Sequence, residues 1–259
     1  SSVGFFFSCI TPSASGGQPM QIYYMKKEKI SIPVSTVILM IVTITYKLVL
    51  VVIGIGVAVF GRGFVHTYLQ GILPVFYLGL ALNIFCVTFM TILVFHPLFA
   101  KAIMVKGLKV LERIHLMKKK ENRLRKLEDS MDTYRDTAAY LKNNPMVIVK
   151  VIGITFVQRM ALFAVTWFVY QSFGLHGTGF WEILFLQAVI SVSVDMLPLP
   201  GGMGISETLF LTIFKPVFGT LLLPGMVLSR GLGYYGELLI SAIFTVAAQL
   251  TIGQEKKKK

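Results

Sequence analysis

Residues 195–207 constrain the fold more than any other stretch, because they interrupt a very apolar region. Two prolines and three glycines lie within residues 198–204, and a backbone of this composition cannot continue a helix. Lipid excludes exposed non-helical backbone, so the stretch predicts a broken helix or re-entrant loop that is buried in protein or lines a wet cavity. A plain hairpin loop at the membrane surface is the alternative, but apolar residues on both sides favour the deeper position. The loop residues are Pro198, Pro200, Gly201, Gly202 and Gly204.

The composition is that of an integral membrane protein. Hydrophobic residues make up 55% of the chain and charged residues only 14%, with a net charge of +13. The predicted class is an all-α, polytopic helical bundle, and residues 1–259 are treated as one transmembrane domain. The two cysteines, Cys9 and Cys86, lie in apolar stretches and predict neither a disulfide framework nor a metal site. We expect no metal and no cofactor.

A second loop of small residues lies near the N-terminus. Residues 11–19 contain Pro12 and the pair Gly16 and Gly17, and they also follow an apolar run. Paired Gly/Pro-broken segments in two parts of a chain indicate a transporter site between repeats. The sequence therefore predicts two broken or re-entrant elements, and this pairing is consistent with an inverted repeat.

Four apolar runs are each long enough to cross about 30 Å of hydrocarbon. They are residues 34–60, 72–95, 146–173 and 224–252. Residues 215–223 are predicted to form a surface turn before the last of these spans.

The long polar segment, residues 100–145, is predicted to be a basic helical connector. Between Lys101 and Lys142 there are 12 Lys and Arg against 6 Asp and Glu. An apolar stripe at spacings of three and four predicts an amphipathic helix. Such a helix lies on the cytoplasmic leaflet or packs on the bundle, or it is a solvated connector between spans. The stripe consists of Leu124, Leu127, Met131, Tyr134, Ala138 and Leu141.

Lys and Arg counts predict the orientation in the plasma membrane. One side carries 19 of these residues, in residues 26–29, the connector and the C-terminal tail, and the other side carries Arg62 and Lys215. The positive-inside rule therefore predicts that residues 100–145 and the C-terminus are cytoplasmic. With this orientation, residues 181–214 must enter and leave on the outer side, which again predicts a re-entrant hairpin.

Six charged residues remain inside the apolar segments. Charges at membrane depth are costly, so they are expected to face one another or a wet cavity. One interpretation is a site for a ligand with both charge signs, such as a zwitterionic lipid headgroup, or for an anionic phosphate. In that site the cations attract the phosphate, the Gly-Gly loops donate backbone N–H groups, and the acids balance charge and hold a headgroup ammonium. The alternative is a set of structural ion pairs. The residues are Lys47, Arg159, Asp195, Glu207, Arg230 and Glu237.

Three motifs resemble those of the lysylphosphatidylglycerol synthase transmembrane (flippase-like) family, which includes the membrane half of the bacterial multiple peptide resistance factor. They are LPLPGGMGISE at residues 197–207, TPSASGGQP at 11–19 and SRGLGYY at 229–235. The resemblance covers essentially the whole chain. It implies transfer of aminoacylated phosphatidylglycerol from the inner to the outer leaflet. Lysine on the headgroup reduces surface negative charge, and so the resemblance also implies resistance to cationic antimicrobial peptides.

Three functions compete at this stage. The first is a phospholipid flippase without catalytic residues. The second is a phosphatidylglycerol lysyltransferase, although the sequence has no evident nucleophile–base pair, metal cluster or nucleotide loop. The third is a membrane scaffold that binds a separate synthase through its basic connector. Nucleic-acid binding is not expected, because the basic charge lies beside spans and lacks an aromatic platform. The sequence leaves homo-oligomerisation open.

Overall fold

The computed structural model describes residues 2–11, 15–60, 68, 71–96, 99–106, 122–197 and 202–254. Among these residues the regular secondary structure is helical and includes no strand, which confirms the predicted all-α class. Residues 99–106 are helical as well. The other helices, in chain order, are α1 (Ser2–Ile10), α2 (Gly17–Lys27), α3 (Ile32–Phe60), α4 (Leu73–Phe95), α5 (Asn122–Asn143), α6 (Pro145–Ser172), α7 (Phe180–Val194), α8 (Ile205–Ile213), α9 (Lys215–Phe218), α10 (Leu222–Arg230) and α11 (Gly236–Gln254).

Four helical segments of the described chain are long and apolar enough to cross a membrane, as predicted. Three of them correspond to α3, α4 and α6, and the fourth covers Lys215–Thr251. Proline in the first turn of α4 and of α6 suits a helix start, because the first N–H groups of a helix have no intrahelical partner.

The segment predicted as a surface turn, residues 215–223, forms short helical turns, and part of it is exposed. This segment is helical, with α9 followed by a 3₁₀ turn at Gly219–Leu221. Val217 and Phe218 are buried, and the Phe218 ring centroid lies 5.8 Å from that of Phe214. Burial of these apolar side chains outweighs the turn-forming tendency of the local sequence. The last span is also irregular, since a π-helical turn at Gly231–Tyr235 joins α10 to α11.

Helix α7 lies at the centre of the bundle. It packs against α3, α4, α6 and α8, and its side chains form much of the apolar core. Its approach to α4 is especially close at Gly79, where an added Cβ would lie 2.4 Å from the carbonyl oxygen of Val192. Asn83 on α4 donates a hydrogen bond of 3.3 Å to this same oxygen, which lies near the C-terminal end of α7. Helix α4 thus supports the end of α7 where the chain leaves helical geometry.

The predicted helix break at the Pro-Gly loop is confirmed. Helix α7 ends at Val194, α8 begins at Ile205, and the two pack against each other as a hairpin. The 15 residues of α7 span about 22 Å, which is less than a bilayer core. Gly202 and Gly204 have φ of +64° and +85°, backbone conformations that residues other than glycine rarely adopt. Pro198, Pro200 and Gly201 lie outside the described residues.

A second helical hairpin confirms a break near the N-terminus. Helix α1 ends at Ile10, α2 begins at Gly17, and the two pack together. A Cβ at Gly17 would lie 2.6 Å from the carbonyl oxygen of Gly4, so glycine permits this close packing. The Gly16 N–H donates to Thr11 Oγ1 at 2.9 Å. Pro12 lies outside the described residues.

The basic connector packs on the bundle through its apolar stripe. Met131, Tyr134 and Ala138 on α5 are buried against α3 and α4. The Tyr134 hydroxyl donates a hydrogen bond of 3.0 Å to the carbonyl oxygen of Leu93, and burial raises the pKa of this phenol. Bundle packing, one of the alternatives left open by the sequence, is therefore present over this part of α5. The side chains of Leu124 and Leu127 lie outside the described residues.

Candidate functional site

A cavity of about 300 Å³ lies between the two hairpins and the long helices. Helix α1 contributes Phe5, Ser8 and Cys9 to its wall, and α7 contributes Gln187 and Ser191. Four of the six predicted charged residues line the cavity. These four are Arg159, Asp195, Arg230 and Glu237.

The remaining two charged residues, Lys47 and Glu207, are bound to residues that line the cavity. Lys47 Nζ lies 2.5 Å from Asp195 Oδ2, and both side chains are 11% exposed. The other Asp195 oxygen accepts a hydrogen bond of 2.7 Å from the Tyr46 hydroxyl. Because Asp195 directly follows α7, these bonds attach the broken end of α7 to α3.

The second pair, Glu207 and Arg230, joins α8 to α10. Glu207 Oε1 accepts a hydrogen bond of 2.9 Å from Arg230 Nε, and Arg230 Nη2 lies 2.9 Å from the same oxygen. Its Oε2 atom accepts one of 2.7 Å from the Gly204 N–H, so the carboxylate also caps the start of α8. The acid at the end of the Pro-Gly motif is thus already engaged by a cation and by backbone.

Arg159 differs from the other two cations because no acid among the described residues lies within 4.0 Å of its guanidinium nitrogens. Its guanidinium carbon lies 4.1 Å from the centroid of the Tyr46 ring, a cation–π contact. Its Nε atom is buried and has no hydrogen-bond partner among the described residues. A buried donor without a partner is unfavourable, so this atom has unused capacity to bind a ligand oxygen.

Among the described residues, Glu237 is the acid of this set without a paired cation. It lies on α11 just after the π-helical turn and lines the cavity. No Lys, Arg or His nitrogen within the described ranges lies within 4.0 Å of its carboxylate. The predicted set of three cations and three acids therefore divides into two ion pairs and two charges that face the cavity unpaired.

The two Gly loops occupy different positions relative to the cavity. Gly202 lines it, whereas the lining does not include Gly16 or Gly17. The Gly16 N–H is bonded to Thr11, and Gly17 forms the close contact between α1 and α2. Gly16 and Gly17 therefore lie outside the lining of this cavity, where helix α1 forms the wall, and their expected role as phosphate donors stays a prediction.

Sequence reasoning missed several uncharged polar residues of the site. Gln187 and Ser191 precede Asp195 at intervals of four, so they lie on one face of α7. That spacing was a usable signal inside an otherwise apolar run. For Tyr46, the position next to Lys47 was the one signal in the sequence. Its role depends on contacts with Arg159 on α6 and with Asp195, which follows α7.

One known protein family matches the part of the chain that contains the site. The family model described as "Lysylphosphatidylglycerol synthase TM region" matches residues 1–241, a range that contains every charged residue of the cavity. No curated protein and no solved structure matches the chain.

Proposed function

Because the chain belongs to the lysylphosphatidylglycerol synthase transmembrane-region family, we propose that it moves a phospholipid between the leaflets of the plasma membrane. The family relates the chain to lysylphosphatidylglycerol synthesis or flipping. Within that range, flipping of aminoacylated phosphatidylglycerol, or of a related anionic or zwitterionic lipid, is the function that the cavity supports best.

One observation carries the proposal: Arg159 lines a polar cavity inside apolar helices, and its buried Nε donor has no hydrogen-bond partner among the described residues. A guanidinium is well suited to phosphate oxygens, because its planar set of N–H groups forms paired hydrogen bonds. The cavity volume of about 300 Å³ is at the lower end for ligand sites, so it suits a headgroup rather than a whole lipid. The acyl chains would remain in the bilayer.

The two ion pairs give the cavity rigid walls without excess charge, which suits the passage of a charged headgroup. Lys47 neutralises Asp195, and Arg230 neutralises Glu207, so the broken ends of α7 and α8 stay fixed without excess charge. A charged headgroup pays a large desolvation cost in pure hydrocarbon. Polar groups such as Gln187, Ser191 and Ser229 replace part of the lost hydration along the path.

Reconstitution into liposomes tests the proposal. Phosphatidylglycerol and lysylphosphatidylglycerol labelled on one acyl chain are placed in the inner leaflet, and albumin extracts the labelled lipid that reaches the outer leaflet. We expect Arg159→Gln to slow transfer at least about tenfold, the effect of losing a charged hydrogen bond. Arg135→Gln is the matched control, since Arg135 lies on α5 with 62% of its side chain exposed. Full-rate transfer by Arg159→Gln would contradict the proposal.

The lysyltransferase alternative is tested in the same vesicles. They are supplied with unlabelled phosphatidylglycerol and lysyl-tRNA, and lysyl-lipid is measured by mass spectrometry. We expect none to form. Lysyl-lipid formation by the purified chain would favour an enzyme instead.

A further inference from the structure

We infer that Glu237 holds the free ammonium of the transported headgroup, which makes the cavity selective for lipids that carry both a phosphate and an amine. This inference rests on the proposed function and assigns one residue to substrate selection. It follows from the way in which the structure divides the acids near the cavity.

Two of the three acids are already committed. Asp195 accepts from Lys47 with one oxygen and from Tyr46 with the other. Glu207 accepts from Arg230 with one oxygen, while its other oxygen caps α8 at Gly204. A headgroup ammonium would have to displace these short hydrogen bonds to bind either carboxylate.

Glu237 has no such competitor. Among the residues that the structure describes, its carboxylate has no ion-pair partner and no hydrogen bond. It is half-buried on the wall formed by α11, and Arg159 lines the same cavity from α6. An unpaired charge in such a place is costly for the protein alone, and a bound cation would remove that cost.

The unpaired charges of the cavity indicate which charges the ligand carries. With Lys47–Asp195 and Arg230–Glu207 neutral as pairs, the lining residues that the structure describes retain one positive group, Arg159, and one negative group, Glu237. A headgroup with a phosphate and an ammonium complements both groups at once. Phosphatidylglycerol, which carries a phosphate and no amine, would satisfy Arg159 and leave the half-buried Glu237 carboxylate without a cation. Such an unpaired polar group is an effective means of rejecting a ligand.

Binding and transfer measured side by side test this inference. Native mass spectrometry of the full chain in detergent micelles measures competition between phosphatidylglycerol and either lysylphosphatidylglycerol or phosphatidylethanolamine. We expect the wild-type chain to prefer both amine-bearing lipids at least about tenfold. Glu237→Gln should remove this preference by weakening amine-lipid binding alone, and Glu237→Asp should restore part of it. Glu182→Gln is the matched control, because Glu182 caps the start of α7 through Gly179 and does not line the cavity.

The outcomes separate the inference from the proposed function. Equal binding of the lipids by the wild-type chain, or equal weakening of both lipid classes by Glu237→Gln, overturns the inference. Selective binding without leaflet transfer overturns the proposed function and leaves the inference standing. Transfer of phosphatidylglycerol as fast as its lysyl derivative would support the proposed function and overturn the inference. A thermal midpoint of Glu237→Gln equal to that of the wild-type chain excludes misfolding as the cause of any loss.

Discussion

Lys47 and Asp195 form an ion pair with an N–O distance of 2.5 Å, although 148 residues separate them in the sequence. The pair connects the middle of α3 to the residue that follows α7, so it fixes the position of the broken helix. Tyr46, next to Lys47, bonds the same carboxylate and supports the Arg159 guanidinium on its ring. This relationship makes the stability of the cavity depend on a few buried polar contacts.

Removing one member of this pair should destabilise the protein more than removing both. Lys47→Gln or Asp195→Asn leaves a nearly buried charge uncompensated, at a cost of about 3–5 kcal/mol. The double substitution should recover much of that loss, because no uncompensated charge remains. Thermal unfolding of the detergent-solubilised variants measures the coupling. The exposed pair Arg135 and Asp132, at 4.0 Å, is the control and should show a coupling of under about 1 kcal/mol. Additive losses at Lys47 and Asp195 would contradict the expected coupling.

Gly79→Ala should destabilise the contact between α4 and α7. Its new Cβ would lie 2.4 Å from the Val192 carbonyl oxygen and 2.7 Å from Ser193 Cα, and backbone cannot yield as a side chain can. We expect a loss of about 1–3 kcal/mol from overpacking, measured as a lower thermal midpoint. Gly153→Ala on α6 is the control, because nothing lies within 4 Å of the added atom. It should be neutral or slightly stabilising, and an equal loss at both sites would show that the close contact is not the cause.

Tyr134→Ala should loosen α5 from the bundle. The substitution removes a ring that is 6% exposed and the hydrogen bond to the Leu93 carbonyl oxygen. A loss of about 3–5 kcal/mol of packing is expected for a buried aromatic residue. Limited proteolysis of the connector should then become faster. Tyr140→Ala, six residues along the same helix and 61% exposed, should leave the cleavage rate unchanged. Similar rates for the two variants would mean that this face does not hold α5.

Cysteine labelling of intact cells tests the predicted orientation. In a chain lacking Cys9 and Cys86, His176→Cys lies in the exposed connection between α6 and α7, and Asp132→Cys lies on the exposed face of α5. A membrane-impermeant maleimide should label position 176 and spare position 132 until the cells are permeabilised. This expectation follows from the Lys and Arg asymmetry. The reverse pattern would invert the topology.

The spans and the helix breaks could be predicted from local sequence. Apolar length determines which segments can cross a bilayer, and prolines and glycines near residues 198–204 prevent a continuous helix whatever surrounds them. The presence of six charges in apolar segments was equally evident, because each one is costly in lipid regardless of its neighbours. These properties depend on residues adjacent in the chain, and so sequence reasoning could predict them.

Tertiary packing alone decided which charge meets which. Nothing in the sequence distinguishes Asp195, which binds Lys47, from Glu237, which is left unpaired in the cavity, because partner choice depends on helices far apart in the chain. Packing likewise buried Val217 and Phe218 in the helical turns of residues 215–223, and it placed Gly17 at the contact between α1 and α2, outside the lining of the cavity. Burial and ion pairing are non-local interactions, so their outcome is determined only when the hairpins and spans come together around the cavity.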